Sequence, residues 1–218
     1  MTAYDVILQE VEVAGRTWRL STLADRQQYS DPDGEFERAG VAPASWSMFG
    51  VVWPAGLMLA EYMASCPIDG QRILEVGCGL GLASMVVQER GGDIIASDIH
   101  PLAEKFLAEN AERNGISPLR FRAIDWRLDH DDLMFDLIIG SDLLYERDQE
   151  TLLAKFVDLH CAGDGRVILT DPGRGQVSRF NRLMAGNGFS VQQIFRGKSR
   201  LACYARSTLS HQDDMSTT

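Results

Sequence analysis

The chain has 218 residues, of which 45% are apolar and 24% charged, a balance typical of one globular domain with a large core. A formal net charge of -10 argues against nucleic-acid binding, which requires basic groups to neutralise phosphates. The sequence has no run of 18 apolar residues and begins without the basic and apolar regions of a secretion signal, so we expect a cytoplasmic protein that does not bind membranes.

The four cysteines and four histidines show none of the spacings of a disulfide framework or of a metal site. We therefore expect reduced thiols and no bound metal.

A β-hairpin is the first predicted element. Apolar and polar residues alternate on both sides of a turn at Ala14 and Gly15. The apolar members of this pattern are Val6, Leu8, Val11, Val13, Trp18 and Leu20. Residues 25–47 are polar and rich in turn formers. We treat residues 1–47 as an extension too small to fold alone, which either covers a site as a lid or packs on an edge of the sheet.

The first helix is predicted to begin at Pro54, because proline fits the first turn and the apolar residues after it recur every three or four positions. Trp53 stands just ahead of this helix, where its side chain would form a wall of a pocket.

The stretch from Gln71 to Leu82 carries the clearest functional signal. A short apolar run ending at Val76 predicts a buried strand, and the glycines at positions 77, 79 and 81 predict a tight turn into a helix, with close approach of a ligand. Leu82 occupies the place where a dinucleotide-binding loop has its last glycine. Glu75 would repel a pyrophosphate but could hold a cationic amino-acid group directly or through water. The loop therefore favours S-adenosylmethionine, which has an ammonium, a carboxylate and a sulfonium but no phosphate.

Strands and helices alternate regularly after this loop. The predicted strands cover 93–96, 119–124, 135–139, 166–169, 191–196 and 200–206, and the helices cover 101–114, 149–161 and 177–185. This order predicts an α/β fold with a Rossmann-like, mostly parallel, doubly wound sheet of seven strands. Residues 207–218 are polar and are predicted to be disordered.

Five acids lie at or near the carboxyl ends of the predicted strands, the edge where open α/β sheets bind ligands. They are Glu75, Asp98, Asp125, Asp142 and Asp171. Asp98 is placed to accept hydrogen bonds from both hydroxyls of a ribose, or else to cap the helix that follows. Asp125 would accept a hydrogen bond from the adenine amino group, while Trp126 packs on the adenine ring.

Residues 172–212 contain seven basic residues and no acid. This segregation of charge indicates either a solvated surface or a face that meets a charged partner.

These residues resemble the seven-strand S-adenosylmethionine-dependent methyltransferases. Within that class, they are most similar to the protein-lysine methyltransferase group that carries an Asp-x-x-Tyr motif after the fourth strand. The resemblance covers residues 48–206. It is carried by the glycine loop, Trp53, Asp98, the pair Asp125-Trp126 and the motif Asp142-Leu-Leu-Tyr145. The run Asp171-Pro-Gly-Arg174 further resembles the branch that methylates the beta subunit of electron transfer flavoprotein.

The resemblance implies that residues 48–206 form a methyltransferase domain with two adjoining sites. The amine site would consist of Asp142 and Tyr145, and the partner would be a protein that presents a lysine. The S-adenosylmethionine site would consist of Trp53, Glu75, Gly77, Gly79, Gly81, Asp98, Asp125, Trp126 and Ser141.

Two other functions share much of this pattern. A methyltransferase for a small amine would have the same cofactor residues but would differ in the amino-terminal extension, in the residues that surround the substrate. A protein that binds the cofactor or a partner without catalysis would have no need of both the cofactor acids and Asp142 with Tyr145. A purely structural role for the latter pair would make them a buried helix cap and a core tyrosine.

Overall fold

The computed structural model describes residues 4–25, 34–41, 47–128, 134–145, 148–173, 175–196 and 198–206. The strands are β1 (Val6–Val13), β2 (Arg16–Leu23), β3 (Arg72–Val76), β4 (Asp93–Asp98), β5 (Arg120–Ala123), β6 (Phe135–Ser141), β7 (Cys161–Asp171), β8 (Phe189–Arg196) and β9 (Ser199–Arg206). The helices are α1 (Glu35–Arg38), α2 (Pro54–Met63), α3 (Leu82–Glu89), α4 (Ala103–Arg113), α5 (Gln149–His160) and α6 (Val177–Gly186).

The main sheet has seven strands in the order β5-β4-β3-β6-β7-β9-β8. Strands β3 to β7 run parallel, and β9 lies antiparallel between β7 and β8. The prediction of a mostly parallel seven-strand sheet is confirmed. The chain moves outward in one direction from β3 to β5 and in the other direction from β6, so β3 and β6 flank the point where ligands bind in sheets of this kind.

The central strands are apolar on both faces. Successive side chains of a strand point to opposite faces of the sheet, and here each face is covered by helices. Ile73 therefore joins the core beneath α2, α3 and α4, while Leu74 and Val76 join the core beneath α5 and α6. All three side chains have 0% exposure, which explains why β3 reads as a short apolar run.

The predicted hairpin is confirmed as the pair β1 and β2, which forms a separate antiparallel sheet. Trp18 and Leu20 pack in the main core, so the hairpin shares that core with the central sheet. Val6 and Leu8 are about half exposed, at 49% and 54%. They lie at even positions, whereas the buried Val11 and Val13 lie at odd ones, so the two pairs must point to opposite faces of the strand.

Some predictions concern residues that the structure does not describe, or a division of the chain that it does not test. The segment 207–218 and Arg174 lie outside the described residues, and the division into residues 1–47, 48–206 and 207–218 stays a prediction. Among the described residues, no helix is long and apolar enough to cross a membrane.

Candidate functional site

A cavity of about 380 Å³ opens at the carboxyl ends of the parallel strands, beside the point between β3 and β6 where the strand order reverses. All eleven residues that the sequence analysis assigned to a site line this cavity. They are Trp53, Glu75, Gly77, Gly79, Gly81, Asp98, Asp125, Trp126, Ser141, Asp142 and Tyr145. The fold thus brings these residues together, while the role of each in binding stays a prediction. Asp171, the fifth strand-end acid, is not among the lining residues.

The glycine loop lies between β3 and α3. Gly77, Gly79 and Gly81 have φ angles of 62°, 54° and 78°, in the left-handed region that side chains disfavour. A Cβ atom at Gly81 would clash with the side chain of Leu107, so this glycine also permits close packing. A Cβ atom at Gly79 would meet nothing within 4 Å. Since Gly79 lines the cavity, the space beside it is available to a ligand.

Glu75 lies on the floor of the cavity and is only 3% exposed. Its Oε2 atom accepts hydrogen bonds from the backbone N–H of Ser84, at 2.8 Å, and from the Ser84 hydroxyl, in the first turn of α3. Burial raises the pKa of Glu75 to about 7; the Ser84 bonds oppose this shift and the charge of Asp98 adds to it. Among the described residues, both hydrogen bonds to this carboxyl end on Oε2 and none ends on Oε1.

Asp98, at the end of β4, shapes the glycine loop. Its Oδ2 atom accepts a hydrogen bond from the Gly79 N–H and its Oδ1 atom from the His100 N–H, both at 2.9 Å. Burial raises the pKa of Asp98, while these backbone donors lower it. The alternative in which Asp98 caps the next helix is wrong, because α4 begins at Ala103 and has no side-chain cap.

Asp125 is held by an arginine that the sequence analysis did not single out. The Arg127 Nε atom donates to Asp125 Oδ1 at 2.8 Å and to Oδ2 at 2.9 Å, and the Arg127 backbone N–H donates to Oδ1 at 2.9 Å. The guanidinium of Arg127 lies against Gly40 in the amino-terminal extension. The charge of Asp125 is therefore paired with that of Arg127. The predicted hydrogen bond from an adenine amino group would have to use a lone pair that Arg127 does not occupy.

The opposite end of the cavity is formed by the chain after β6. Asp142 is 5% exposed, and its backbone N–H donates to the Thr170 carbonyl at 2.8 Å. It adopts a left-handed φ of 52°, which costs a residue with a side chain about 1 kcal/mol and is a feature often found at functional sites. Helix α5 begins at Gln149 and has no side-chain cap, so the interpretation of Asp142 as a helix cap is wrong.

Trp53 is the residue before α2, and its indole Nε1 atom donates to the Met48 carbonyl at 2.9 Å. This bond holds the ring in the lining of the cavity, as expected of a wall residue.

The sequence analysis missed an aromatic cluster beside the cavity, of which His100 and Phe49 are lining residues. The ring of His100 stacks on Phe49 with centroids 3.8 Å apart and lies 5.1 Å from the ring of Phe36. Burial lowers the pKa of His100 to about 3, so its imidazole is neutral. These three residues come from distant segments, and no periodicity in the sequence relates them.

The amino-terminal extension packs on the core and reaches the cavity. Gly40 and Val41 line the cavity, while β2 lies along α4. The described hairpin therefore packs on a helix and not on an edge of the main sheet, and a role of the extension as a lid stays a prediction.

The basic residues of the last third of the chain are partly paired within the fold. Arg179 contacts Glu150 at 2.8 Å, Arg206 contacts Asp158 at 3.0 Å, and Arg200 lies 3.9 Å from Asp171. Three of the seven basic residues in this region therefore interact with acids of α5 and β7.

Comparison with known proteins gives a family. Residues 43–181 match a family model described as lysine methyltransferase. The electron transfer flavoprotein beta subunit lysine methyltransferase of Mus musculus is 31% identical over 147 residues, which cover 66% of this chain and 57% of that protein. EEF1A lysine methyltransferase 3 of Mus musculus is 29% identical over 143 residues, which cover 61% of each chain. The match with the first of these relatives thus spans less than two thirds of its length.

Solved structures show the same fold. A Thermus thermophilus 16S rRNA methyltransferase, in complex with AdoMet and guanosine, superposes with a TM-score of 0.66 and 15% sequence identity, covering 93% of this chain and 51% of that one. At this identity the likeness concerns the fold alone.

Proposed function

Because the chain belongs to the lysine methyltransferase family, we propose that it transfers a methyl group from S-adenosylmethionine to the side-chain amine of a lysine in a protein. The observation that carries this proposal is one cavity that is lined both by the glycine loop with the acids Glu75 and Asp98, at β3 and β4, and by Asp142 with Tyr145, which follow β6. Such a cavity supports two reactants held side by side.

The residues of the first set fit S-adenosylmethionine. Glu75 offers a buried carboxyl oxygen to the ammonium, and Asp98, whose two oxygens each accept one backbone hydrogen bond, offers its remaining lone pairs to ribose hydroxyls. Gly79 leaves open space in the lining, where any side chain would intrude. Gly77 and Gly81 would complete the loop, Trp126 would pack on adenine beside Asp125, and Trp53 and Ser141 would line the methyl-donor end.

When bound, S-adenosylmethionine supplies an electrophilic methyl group on a positively charged sulfur. The residues of this chain would contribute alignment, since methyl transfer to nitrogen is an in-line displacement. A lysine with a pKa of about 10.4 must lose its proton first, which costs about 4 to 5 kcal/mol at pH 7 if the site does not lower its pKa. Asp142 would capture and orient the incoming ammonium, and Tyr145 would line the channel that its side chain enters.

The substrate class follows from the relatives. Two of them are named as lysine methyltransferases of electron transfer flavoprotein beta subunit and of EEF1A, so the proposed partner is a protein that presents a lysine rather than a nucleic acid or a membrane. The beta subunit of electron transfer flavoprotein is the first acceptor to test. We place the reaction in the cytoplasm, which is supported by four cysteines that are all free thiols.

The test is transfer of radiolabelled methyl from S-adenosylmethionine into proteins of an extract from source cells that lack this gene. The wild type should label a protein band whose label maps to lysine. Asp142→Asn should abolish that band, because the amide keeps the shape and tolerates the left-handed backbone but loses the charge that captures the ammonium. Asp69→Ala, at an exposed turn before β3, is the control and should label as the wild type does.

Calorimetric binding of S-adenosylmethionine to each variant completes the experiment. Label found only in small molecules would favour a small-amine methyltransferase, and binding without any label would favour a non-catalytic protein. Either result would contradict the proposal.

A further inference from the structure

The two residues proposed to bind the acceptor amine lie in a short segment after β6. Residues 142–145 follow β6 and form neither helix nor strand, yet they carry both Asp142 and Tyr145. Alignment of reactants is sensitive to displacements of about 1 Å, so this segment needs contacts that hold it. Asp142 has such a contact, because its backbone N–H donates to the Thr170 carbonyl in β7 at 2.8 Å.

Tyr145 is held by a side chain. Its backbone N–H donates to the Oε1 atom of Gln149 at 2.9 Å. A backbone N–H can only donate, so the oxygen of this amide must face Tyr145 and the amide nitrogen must point elsewhere. The orientation of the Gln149 side chain is therefore determined by the bond.

Gln149 belongs to a rigid element. It is the first residue of α5, whose Leu153, Phe156 and Val157 are buried in the core with at most 2% exposure. Gln149 also lines the cavity, together with Asp142 and Tyr145. The hydrogen bond thus ties a segment without regular structure to a packed helix, at the place where the acceptor amine would enter.

From this geometry, we propose that Gln149 is a positioning residue of the methyl-transfer site: it anchors the main chain of Tyr145 and so determines where the tyrosine ring stands relative to Asp142. The inference rests on the proposed function, because it assigns a role within that reaction. It adds a residue that lies outside the Asp-x-x-Tyr motif.

The experiment compares two substitutions at this position. Gln149→Leu removes the acceptor while nearly keeping the shape, whereas Gln149→Glu keeps an oxygen at the same reach. Methyl transfer into proteins of the extract described above is measured at several extract concentrations, which separates the maximum rate from the half-saturating concentration. Gln149→Leu should lower the maximum rate about ten- to a hundredfold, the range expected for a displacement near 1 Å, and Gln149→Glu should restore it to within about threefold of the wild type.

A matched control is available in α3. Gln88 is also a half-buried helical glutamine with a side-chain hydrogen bond, to Ser117 at 3.3 Å, but it does not line the cavity. Gln88→Leu should leave the maximum rate unchanged. The calorimetric affinity for S-adenosylmethionine should stay within about twofold of the wild type in all three variants, which also shows that each is folded.

The possible results are distinguishable. If the wild type labels no protein, the proposed function fails and this inference with it. If the wild type labels protein and Gln149→Leu reaches the same maximum rate, only this inference fails. It also fails if Gln149→Glu is as slow as Gln149→Leu, or if Gln149→Leu loses affinity for S-adenosylmethionine, because the hydrogen bond to Tyr145 would then not account for the effect.

Discussion

Two acids of the cavity, Glu75 and Asp142, are constrained in different ways. Glu75 is constrained in its protonation, because burial raises its pKa to about 7 despite two hydrogen bonds from Ser84. Asp142 is constrained in its backbone, which is held at a φ of 52° by its bond to Thr170. Both departures have a cost in stability, and both occur where the proposed reactants would meet.

The protonation of Glu75 leads to a pH-dependent stability. Its pKa rises from 4.5 in the unfolded chain to about 7 in the folded protein, so between these values the folded state holds a proton that the unfolded state releases. The wild type, compared with Glu75→Gln, should therefore lose about 1 kcal/mol of unfolding free energy per pH unit, on average, as pH rises from 5 to 7. Urea unfolding of both proteins at pH 5, 6, 7 and 8 measures this. A difference that does not vary with pH would show that Glu75 is already ionised at pH 5.

Substitution of Gly79 and of Gly70 distinguishes an effect on the stability of the fold from an effect on cofactor binding. Gly79→Ala places a side chain at a left-handed φ of 54°, and so should destabilise the fold by about 1 kcal/mol. Gly70→Ala, with a φ of 69° and nothing within 4 Å of its Cβ position, should cost the same. Only Gly79 lines the cavity, so only Gly79→Ala should also abolish calorimetric binding of S-adenosylmethionine. Equal binding by the two variants would count against the proposed cofactor site.

At the scale of elements, two asparagines join the hairpin to the core. Asn110 lies in α4 and Asn114 is the residue that caps the carboxyl end of this helix, one turn later, and both contact β2. Asn110 Oδ1 accepts from the Ser21 N–H at 2.7 Å, and Asn114 exchanges two hydrogen bonds with the backbone of Arg19, at 2.9 and 2.7 Å. The amide side chains thus satisfy backbone groups of β2 that another strand would otherwise pair. This arrangement explains how a small two-stranded sheet remains on the core and carries the extension to the cavity.

The two asparagines differ in burial, and this gives a prediction. Asn110 has 0% exposure, so Asn110→Ala leaves a buried N–H of Ser21 without its acceptor and should cost about 2 kcal/mol of unfolding free energy. Asn114→Ala should cost less than about 1 kcal/mol, because its partners at Arg19 are exposed and can bond to water instead. Urea unfolding at pH 7 compares the two variants. Equal costs would mean that burial does not control the contribution of these bonds.

At the scale of the whole molecule, the sheet topology separates the two ends of the cavity. On one side of the reversal in strand order, Glu75 and Asp98 lie at the ends of β3 and β4 and Asp125 follows β5, while on the other side Asp142 follows β6. Parallel strands end at the same edge, so acids that are far apart in sequence meet at one opening. Arg179, Arg200 and Arg206 do not line the cavity and pair instead with acids of α5 and β7.

The sequence predicted all seven strands of the main sheet, with boundaries within a few residues except in β7. That strand begins at Cys161, whereas its apolar run begins near Arg166. The register with β6 shifts between these points, and Gly163 and Gly165 have no side chains that could show the alternation. The boundary was therefore missed because pairing with a neighbouring strand, and not side-chain pattern, extends β7.

The sequence by itself determined the alternation of strands and helices, the glycine loop and the acids at the strand ends. These features depend on residues close together in the chain, where periodicity and turn chemistry act. Only the tertiary structure decided that Arg127 lies against Gly40, that His100 stacks on Phe49, and that Asn110 holds the backbone of Ser21. Such contacts depend on the path of the whole chain, because they join residues whose proximity arises when the sheet, its helices and the hairpin pack around one core.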